Sequence, residues 1–455
     1  MDREIGDQSG TKSGAPFASP DTIVALASGA VPAAIAVIRV SGPRTHNVLD
    51  AFCGGEPAPR HATLRDIGPP RLPAIDRGLV IWFPGPASFT GEDMAELHTH
   101  GSRAVVSEVI EAVLSLDGTR LAEPGEFARR AFENGKLDLT QVEGLADLIS
   151  AETEAQRRQA LAQAEGSLRA LYEGWRAELL RAQAYMEAGL DFADEGDVVA
   201  DVALEAEAIV TPLLTSIAHH LADRRGERLR DGVRIVIAGP PNVGKSSLLN
   251  ALAKRDVAIV SEEAGTTRDV LEVHLDLGGL PVILSDTAGL RDTESKVEAE
   301  GVRRALSRTE QADVVLWLVD DTAPVWDPPA AVGSRGALCI LNKIDLVSGG
   351  KTPQDCIEIS AKTGQGLDRL IEVLEEQAAF LAETGASSPL MTRARHRAEL
   401  EGARAALQRF GDPSLSPELK AEELRIAAHH LGRLTGRIDV DEVLGAIFSE
   451  FCIGK

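Results

Sequence analysis

Eight residues, Gly239-Pro240-Pro241-Asn242-Val243-Gly244-Lys245-Ser246, limit the folds open to this chain more than any other stretch. The run Val233-Arg234-Ile235-Val236-Ile237-Ala238 before them reads as a buried strand, and Ser247-Leu248-Leu249-Asn250-Ala251-Leu252 after them reads as a helix. A strand, a G-x4-G-K-S loop and a helix in that order make a phosphate-cradling P-loop. Its glycines let successive backbone N–H groups converge on one centre, and the helix start adds partial positive charge. In such a loop Lys245 reaches the β- and γ-phosphates and the Ser246 hydroxyl ligates Mg2+. The competing reading is a glycine-rich turn that holds nothing.

Four further motifs decide against that turn. The strand Val282-Ile283-Leu284-Ser285 ends in Asp286-Thr287-Ala288-Gly289, where the Asp holds the Mg2+ water shell and the Gly N–H meets the γ-phosphate. Before it, Ala264-Gly265-Thr266-Thr267-Arg268-Asp269 offers a loop threonine that completes Mg2+ coordination only while γ-phosphate is present, which makes the loop a switch. The strand Ala337-Leu338-Cys339-Ile340-Leu341 ends in Asn342-Lys343-Ile344-Asp345. The Asp345 carboxylate can accept from guanine N1–H and N2–H2, which adenine cannot offer, and each such charge-assisted bond is worth about 1.5–3 kcal/mol. Ile359-Ser360-Ala361-Lys362 supplies a backbone N–H for guanine O6. Each motif alone is common; five in order, each at a strand end, read as a GTPase.

The residue after Gly289 is Leu290, where the Ras-type template has a water-orienting glutamine. Hydrolysis therefore needs another carboxylate and another positive charge. Arg268 and Arg291 are near, but the sequence fixes neither as an arginine finger. Glu294, Glu298 and Glu300 follow on a predicted helix, each more simply a solvated helix carboxylate. The Asn242 amide oxygen can hold a monovalent cation against the phosphates, or make a hydrogen bond within its own loop.

The 455 residues allow two to four domains. A net charge of −23 gives no whole-protein field that attracts nucleic acid or anionic membrane. Cys53, Cys339, Cys356 and Cys452 are scattered, which argues against a zinc ribbon or disulfide framework and for a reduced, cytoplasmic compartment. Residues 1–20 are polar and read as a disordered tail, and no apolar run reaches the ~18 residues of a membrane helix. Residues 21–135 read as α+β, with strands at Thr22–Leu26, Ala34–Val40, Leu79–Phe83 and Met94–His100. His98 and His100 share a strand face, more simply a solvated face than a metal site. Residues 136–231 have helical periodicity, and Arg224, Arg225, Arg228 and Arg230 read as a solvated helix end rather than an RNA patch. Residues 232–384 alternate strand and helix as a doubly wound sheet does, and residues 385–455 are helical again. The economical expectation is one discontinuous helical domain into which a Ras-like α/β P-loop domain is inserted.

Thr90-Gly91-Glu92-Asp93, Ala122-Glu123-Pro124-Gly125-Glu126-Phe127, Asn134-Gly135-Lys136 through Leu139-Thr140-Gln141, and the terminal Phe451-Cys452-Ile453-Gly454-Lys455 resemble the MnmE (TrmE) family of tRNA uridine-modification GTPases. The resemblance runs from Asp21 to Lys455. It implies an N-terminal domain that binds tetrahydrofolate and forms a homodimer. It implies also a heterotetramer with the FAD- and NADH-using partner MnmG (GidA), acting on the wobble uridine, U34, of certain tRNAs. A tetrahydrofolate derivative (5-formyl- or methylene-tetrahydrofolate) would supply the one-carbon unit, giving carboxymethylaminomethyl- or aminomethyl-uridine. The GTP contacts so implied are Asn242-Val243-Gly244-Lys245-Ser246-Ser247, Ser261-Glu262-Glu263-Ala264-Gly265-Thr266-Thr267, Asp286-Thr287-Ala288-Gly289, Asn342, Lys343, Asp345 and Ser360-Ala361-Lys362. Asn242, Ser261, Glu263 and Thr266 would form a K+ site in place of an arginine finger, and Ser246 and Thr267 would ligate Mg2+. Glu298 would orient the water, Cys452 would take part in the modification chemistry or be structural, and Arg39, Glu96, Lys136 and Lys455 would contact folate. The loop Ser28-Gly29-Ala30-Val31-Pro32-Ala33-Ala34 departs from the family's glycine-rich pattern. A regulatory GTPase of ribosome or ribonucleoprotein assembly is the alternative reading; the acidic chain lacks the basic tail expected of it.

Overall fold

The computed structural model describes residues 21–70, 73–191, 196–255, 257–259, 272–286, 312–329, 336–346, 353, 355–382, 389–438, 444, 445, 447, 448, 451 and 454. The chain divides into two compact units, one of residues 1–146 with 436–455, the other of residues 147–435.

The first unit is a mixed sheet with helices on it. Its strands are β1 (Thr22–Leu26), β2 (Ala33–Ser41), β3 (Thr63–Ile67), β4 (Asp76–Phe83), β5 (Met94–Gly101) and β6 (Thr119–Leu121). They lie in the order β3-β4-β5-β2-β1-β6, antiparallel except for the β1–β6 pair. Period-two alternation sorts the faces: Ala36, Ile38 and Val40 of β2 point into the core while Val37 and Arg39 lie opposite. Helices α1 (Thr45–Cys53) and α2 (Arg103–Leu114) close that core with Val48, Leu49, Phe52, Val106 and Val109. Neither α1, β3 nor β6 was expected from the sequence. His98 and His100 pair with Glu96 and Asp76, and no group of metal-ligating side chains forms among the described residues.

A second cluster joins α3 (Glu126–Glu133) and the start of α4 (Leu139–Ser150) to the end of the chain. Ala128, Leu139 and Val142 pack with Ile447, Phe448 and Phe451. By their contacts, the described residues of 436–455 cluster with the N-terminal unit, as do residues 136–146. The cause is local: α3 and α4 present the apolar face that those phenylalanines cover. Gly454 has φ +97, and a Cβ there would sit 2.0 Å from the Leu26 carbonyl oxygen, so only glycine fits where the tail meets β1.

Buried ions explain two of the quoted motifs. Arg130, 1% exposed, donates to Asp21 Oδ1 (3.0 Å), Glu92 Oε2 (3.1 Å) and Glu126 Oε1 (3.0 Å). Arg120 donates to the same Glu126 oxygen at 2.5 Å and also to Asp21, while Ser41 Oγ donates to Glu92 at 2.8 Å. Burial alone raises the Glu126 pKa, but the Arg120 hydrogen bond, the Glu123 N–H and Arg130 outweigh it and hold the carboxyl down at about 2.

The second unit contains a helical bundle and a parallel sheet. Helices α5 (Glu154–Ala164), α6 (Ser167–Asp191), α7 (Gly196–Ala222) and α8 (Arg225–Asp231) precede the sheet. After it come α11 (Ala394–Phe410) and α12 (Pro417–Thr435). Leu168, Leu179, Val210 and Ile217 from before the sheet share one core with Leu400, Leu407, Leu424 and Leu431 from after it. No helix among the described residues is long and apolar enough to cross a membrane. Of the arginine cluster, Arg225, Arg228 and Arg230 are held by Asp223, Asp313 and Asp147.

The sheet contains β7 (Val233–Ala238), β8 (Glu272–Leu277), β9 (Leu280–Asp286), β10 (Val314–Asp320), β11 (Leu338–Asn342) and β12 (Ile357–Glu358), with α9 (Lys245–Leu252) and α10 (Leu367–Ala382) packed on it. The order is β12-β11-β10-β7-β9-β8, parallel except for β8. Both faces are covered, hence the apolar runs in β7, broken only by exposed Arg234, and in β10. One expectation is corrected here. Cys339 and Cys356 form a disulfide, because parallel β11 and β12 bring residues 17 positions apart to a Cα–Cα distance of 4.6 Å.

Candidate functional site

Strand β7 lies between β9 and β10, so its loop leaves the sheet where the chain's winding reverses, the place where open α/β sheets hold ligands. Asn242 and Gly244 have φ of 62° and 104°, which turns the loop tightly into the start of α9. A Cβ on Gly244 would lie 2.4 Å from Asn342 Nδ2, so both backbone and space require glycine. Lys245 is buried and donates from Nζ to the carbonyls of Gly239 (3.0 Å) and Pro240 (2.9 Å). Burial pushes its ammonium pKa down, opposed by the Asp286 carboxylate. A desolvated cation whose hydrogen bonds go to neutral carbonyls is stabilised further by any anion that enters the loop.

Ser246 Oγ donates to Asp286 Oδ2 at 2.8 Å, which brings the P-loop hydroxyl and the D-x-x-G carboxylate together. A hydroxyl and a fully buried carboxylate are hard oxygen donors that fit Mg2+.

Asn342 ties three of the loops together. Its Nδ2 donates to Val243 O (2.8 Å) and its Oδ1 accepts from the Ala361 N–H (3.0 Å), linking the P-loop, β11 and the Ser360 loop. Lys343, at φ 69°, donates to Asn242 O (2.8 Å) and Asp320 Oδ2 (2.5 Å). Burial raises the Asp320 pKa, but the bond from Lys343 and those from Thr322 prevail and hold it below its ordinary value. Asp345 is exposed, and its Oδ1 accepts from buried Ser360 Oγ at 2.7 Å. The carboxylate is thus aimed while its other oxygen stays open. Ser247 and Lys362 are exposed at the same loops.

Several predicted residues lie outside the described ones: Ser261, Glu262, Glu263, Ala264, Gly265, Thr266, Thr267, Thr287, Ala288, Gly289, Glu298, Cys452 and Lys455, with Arg268, Leu290, Arg291, Glu294 and Glu300.

The N-terminal unit holds a separate cavity of about 480 Å3, walled by Phe83, Phe89, Met94 and Leu145. Arg39 and Glu96, paired across β2 and β5, both line it, with Arg39 donating from Nε (3.1 Å) and Nη2 (2.8 Å) to Glu96 Oε1. The Arg39 guanidinium lies 5.6 Å from the ring centres of both Phe89 and Phe127. Lys136 Nζ donates to Pro86 O at 3.0 Å, beside Ala87 and Ser88 of the cavity wall. A flat aromatic ligand with a polar edge fits the apolar walls and the Glu96 carboxylate.

The model of the MnmE helical domain matches residues 139–452, and that of the GTP-binding protein TrmE N-terminus matches residues 22–136. The chain belongs to the MnmE family. Proteins named tRNA modification GTPase MnmE are 54% identical over 453 residues in Parvibaculum lavamentivorans, covering 96% of this chain and all of that one. In Rhodopseudomonas palustris (strain BisB5) the identity is 51% over 461 residues, covering 96% and 99% of the two chains. In Paramagnetospirillum magneticum it is 52% over 444 residues, covering 96% and 100%.

Sequence reasoning passed over Asp320 and the packing of Phe89 and Phe127 on Arg39 in this MnmE-family chain. Asp320 had a signal: a carboxylate closing the apolar run Val314–Val319 stands at a strand end beside the other nucleotide loops. The two phenylalanines had none, since their contact with Arg39 depends on tertiary packing.

Proposed function

We propose that this chain is a GTP hydrolase that works in tRNA wobble-uridine modification. The observation that carries the reading is Asn342 joining the phosphate loop to both guanine-reading segments through two hydrogen bonds. Lys245 receives the β- and γ-phosphates, and Asp345 reads the guanine edge. Bound Mg2+ at Ser246 and Thr267, and K+ at Asn242, Ser261, Glu263 and Thr266, supply the charge neutralisation that an arginine finger supplies elsewhere. Glu298 orients the attacking water, since Leu290 cannot.

The chain forms a homodimer through its N-terminal unit and a heterotetramer with the FAD-dependent MnmG in the cytoplasm. Its G domain is inserted into the helical domain. Arg39, Glu96, Lys136 and Lys455 hold tetrahydrofolate, whose one-carbon unit goes to C5 of U34, and Cys452 takes part in that chemistry. The coupling is a population shift in which GTP favours one arrangement of the switch segments and hydrolysis releases it. GTP turnover is expected to rise sharply in KCl over NaCl at equal ionic strength. Equal rates would remove the K+ site, and no turnover in either salt would overturn the GTPase reading itself.

A further inference from the structure

Among the described residues, three that are not glycine adopt the left-handed backbone region, Arg60, Asn242 and Lys343. Such residues are uncommon, and where a fold maintains them they cluster at ligand sites. Asn242 and Lys343 belong to the nucleotide loops. Arg60, at φ 61°, belongs to the wall of the N-terminal cavity.

Its surroundings fix what it can do there. The Arg60 N–H donates to Trp82 O at 2.8 Å, which holds the strained turn against β4. Its guanidinium donates to the Ala87 carbonyl and lies 5.5 Å from the centre of the Phe83 ring. No described carboxylate pairs with it, whereas the other cavity arginine, Arg39, is held by Glu96. Lys136 donates to Pro86 O, next along the same loop, and has no described carboxylate partner either. Arg60 on the wall and Lys136 on the adjoining loop therefore place two cations, neither with a described counter-charge, beside a cavity with aromatic walls and a carboxylate within it. A ligand complementary to that arrangement has an aromatic ring with an N–H edge and a tail bearing two negative charges.

We infer that Arg60 is a specificity residue of this cavity that binds the tail carboxylate of a reduced folate, with Lys136 beside it, while Glu96 reads the pterin edge. The inference rests on the folate reading above and adds a residue and a division of labour to it. Free Arg60 is oriented by its ring contact and its strained turn, so its charge is placed before the ligand arrives. Losing one charge-assisted pair at an open rim weakens binding by roughly tenfold.

The test is calorimetric titration of the full chain with 5-formyl-tetrahydrofolate and with a reduced pterin that has no glutamate tail. Arg60→Asn is the main variant, since asparagine tolerates the left-handed backbone, and Arg60→Lys restores the charge. The wild-type chain is expected to prefer the tailed ligand. Arg60→Asn is expected to weaken that ligand about tenfold with the tail-less pterin unchanged, and Arg60→Lys to recover part of the loss. Equal weakening of both ligands, or of neither, would overturn the assignment. A wild-type chain that binds neither ligand would overturn the folate reading beneath it.

Discussion

Asp345→Asn is expected to weaken GTP binding by roughly 100-fold or more and to transfer preference to xanthosine triphosphate. The Asp345 carboxylate is aimed by Ser360 Oγ at 2.7 Å, so an asparagine occupies the same place with an N–H2 group directed at the base. Against guanine that group meets two donors; against xanthine, which has a carbonyl where guanine has its amine, it meets an acceptor. The variant leaves the Lys245 and Ser246 contacts intact, so hydrolysis of the xanthine nucleotide should proceed. Competition between fluorescent GDP and xanthosine diphosphate measures the change. A variant that still prefers GDP would remove Asp345 from base recognition.

Arg130→Met is expected to destabilise the N-terminal unit by about 3–5 kcal/mol, the range for breaking a buried ion network by removing one partner. The substitution keeps the apolar stem but removes the cation that joins Asp21, Glu92 and Glu126, with Arg120 still bonded to Asp21 and Glu126 alone of the three. Urea unfolding read by hydrogen exchange on peptides from residues 21–146 gives the number, and a loss below about 1 kcal/mol would show the network to be dispensable. The same network predicts acid behaviour. Glu126 is held at about 2 in the folded chain against 4.5 ordinarily, so its contribution is complete above pH 4.5 and is lost as pH falls toward 2.

The clustering of the strand-end loops was legible because each of their motifs is short and local, and strand-end placement follows from the alternation of apolar runs and helices. Lys245, Ser246, Asp286, Asn342 and Asp345 come together where that reading implies. The N-terminal unit was read less completely. In α1 the apolar residues Val48, Leu49 and Phe52 span little more than one turn, too short a period to separate from a loop. The reason for Glu92 and Glu126 was hidden because Arg130 joins them to Asp21, 109 residues away in sequence. The destination of Phe448 and Phe451 was missed for a different cause. An amphipathic pattern says that a segment must bury one face, but not which of two apolar partners will cover it. The pairing of Cys339 with Cys356 depends on strand register, which cysteine spacing alone does not carry.

The most direct measurement is nucleoside mass spectrometry of bulk tRNA from a strain lacking this gene, complemented with the wild-type chain and, separately, with Cys452→Ser. The account predicts loss of the aminomethyl-type wobble uridines in the deletion, restored by the wild-type chain and not by Cys452→Ser. Restoration by both would return Cys452 to a structural role. Unchanged nucleosides in the deletion would contradict the account at its centre.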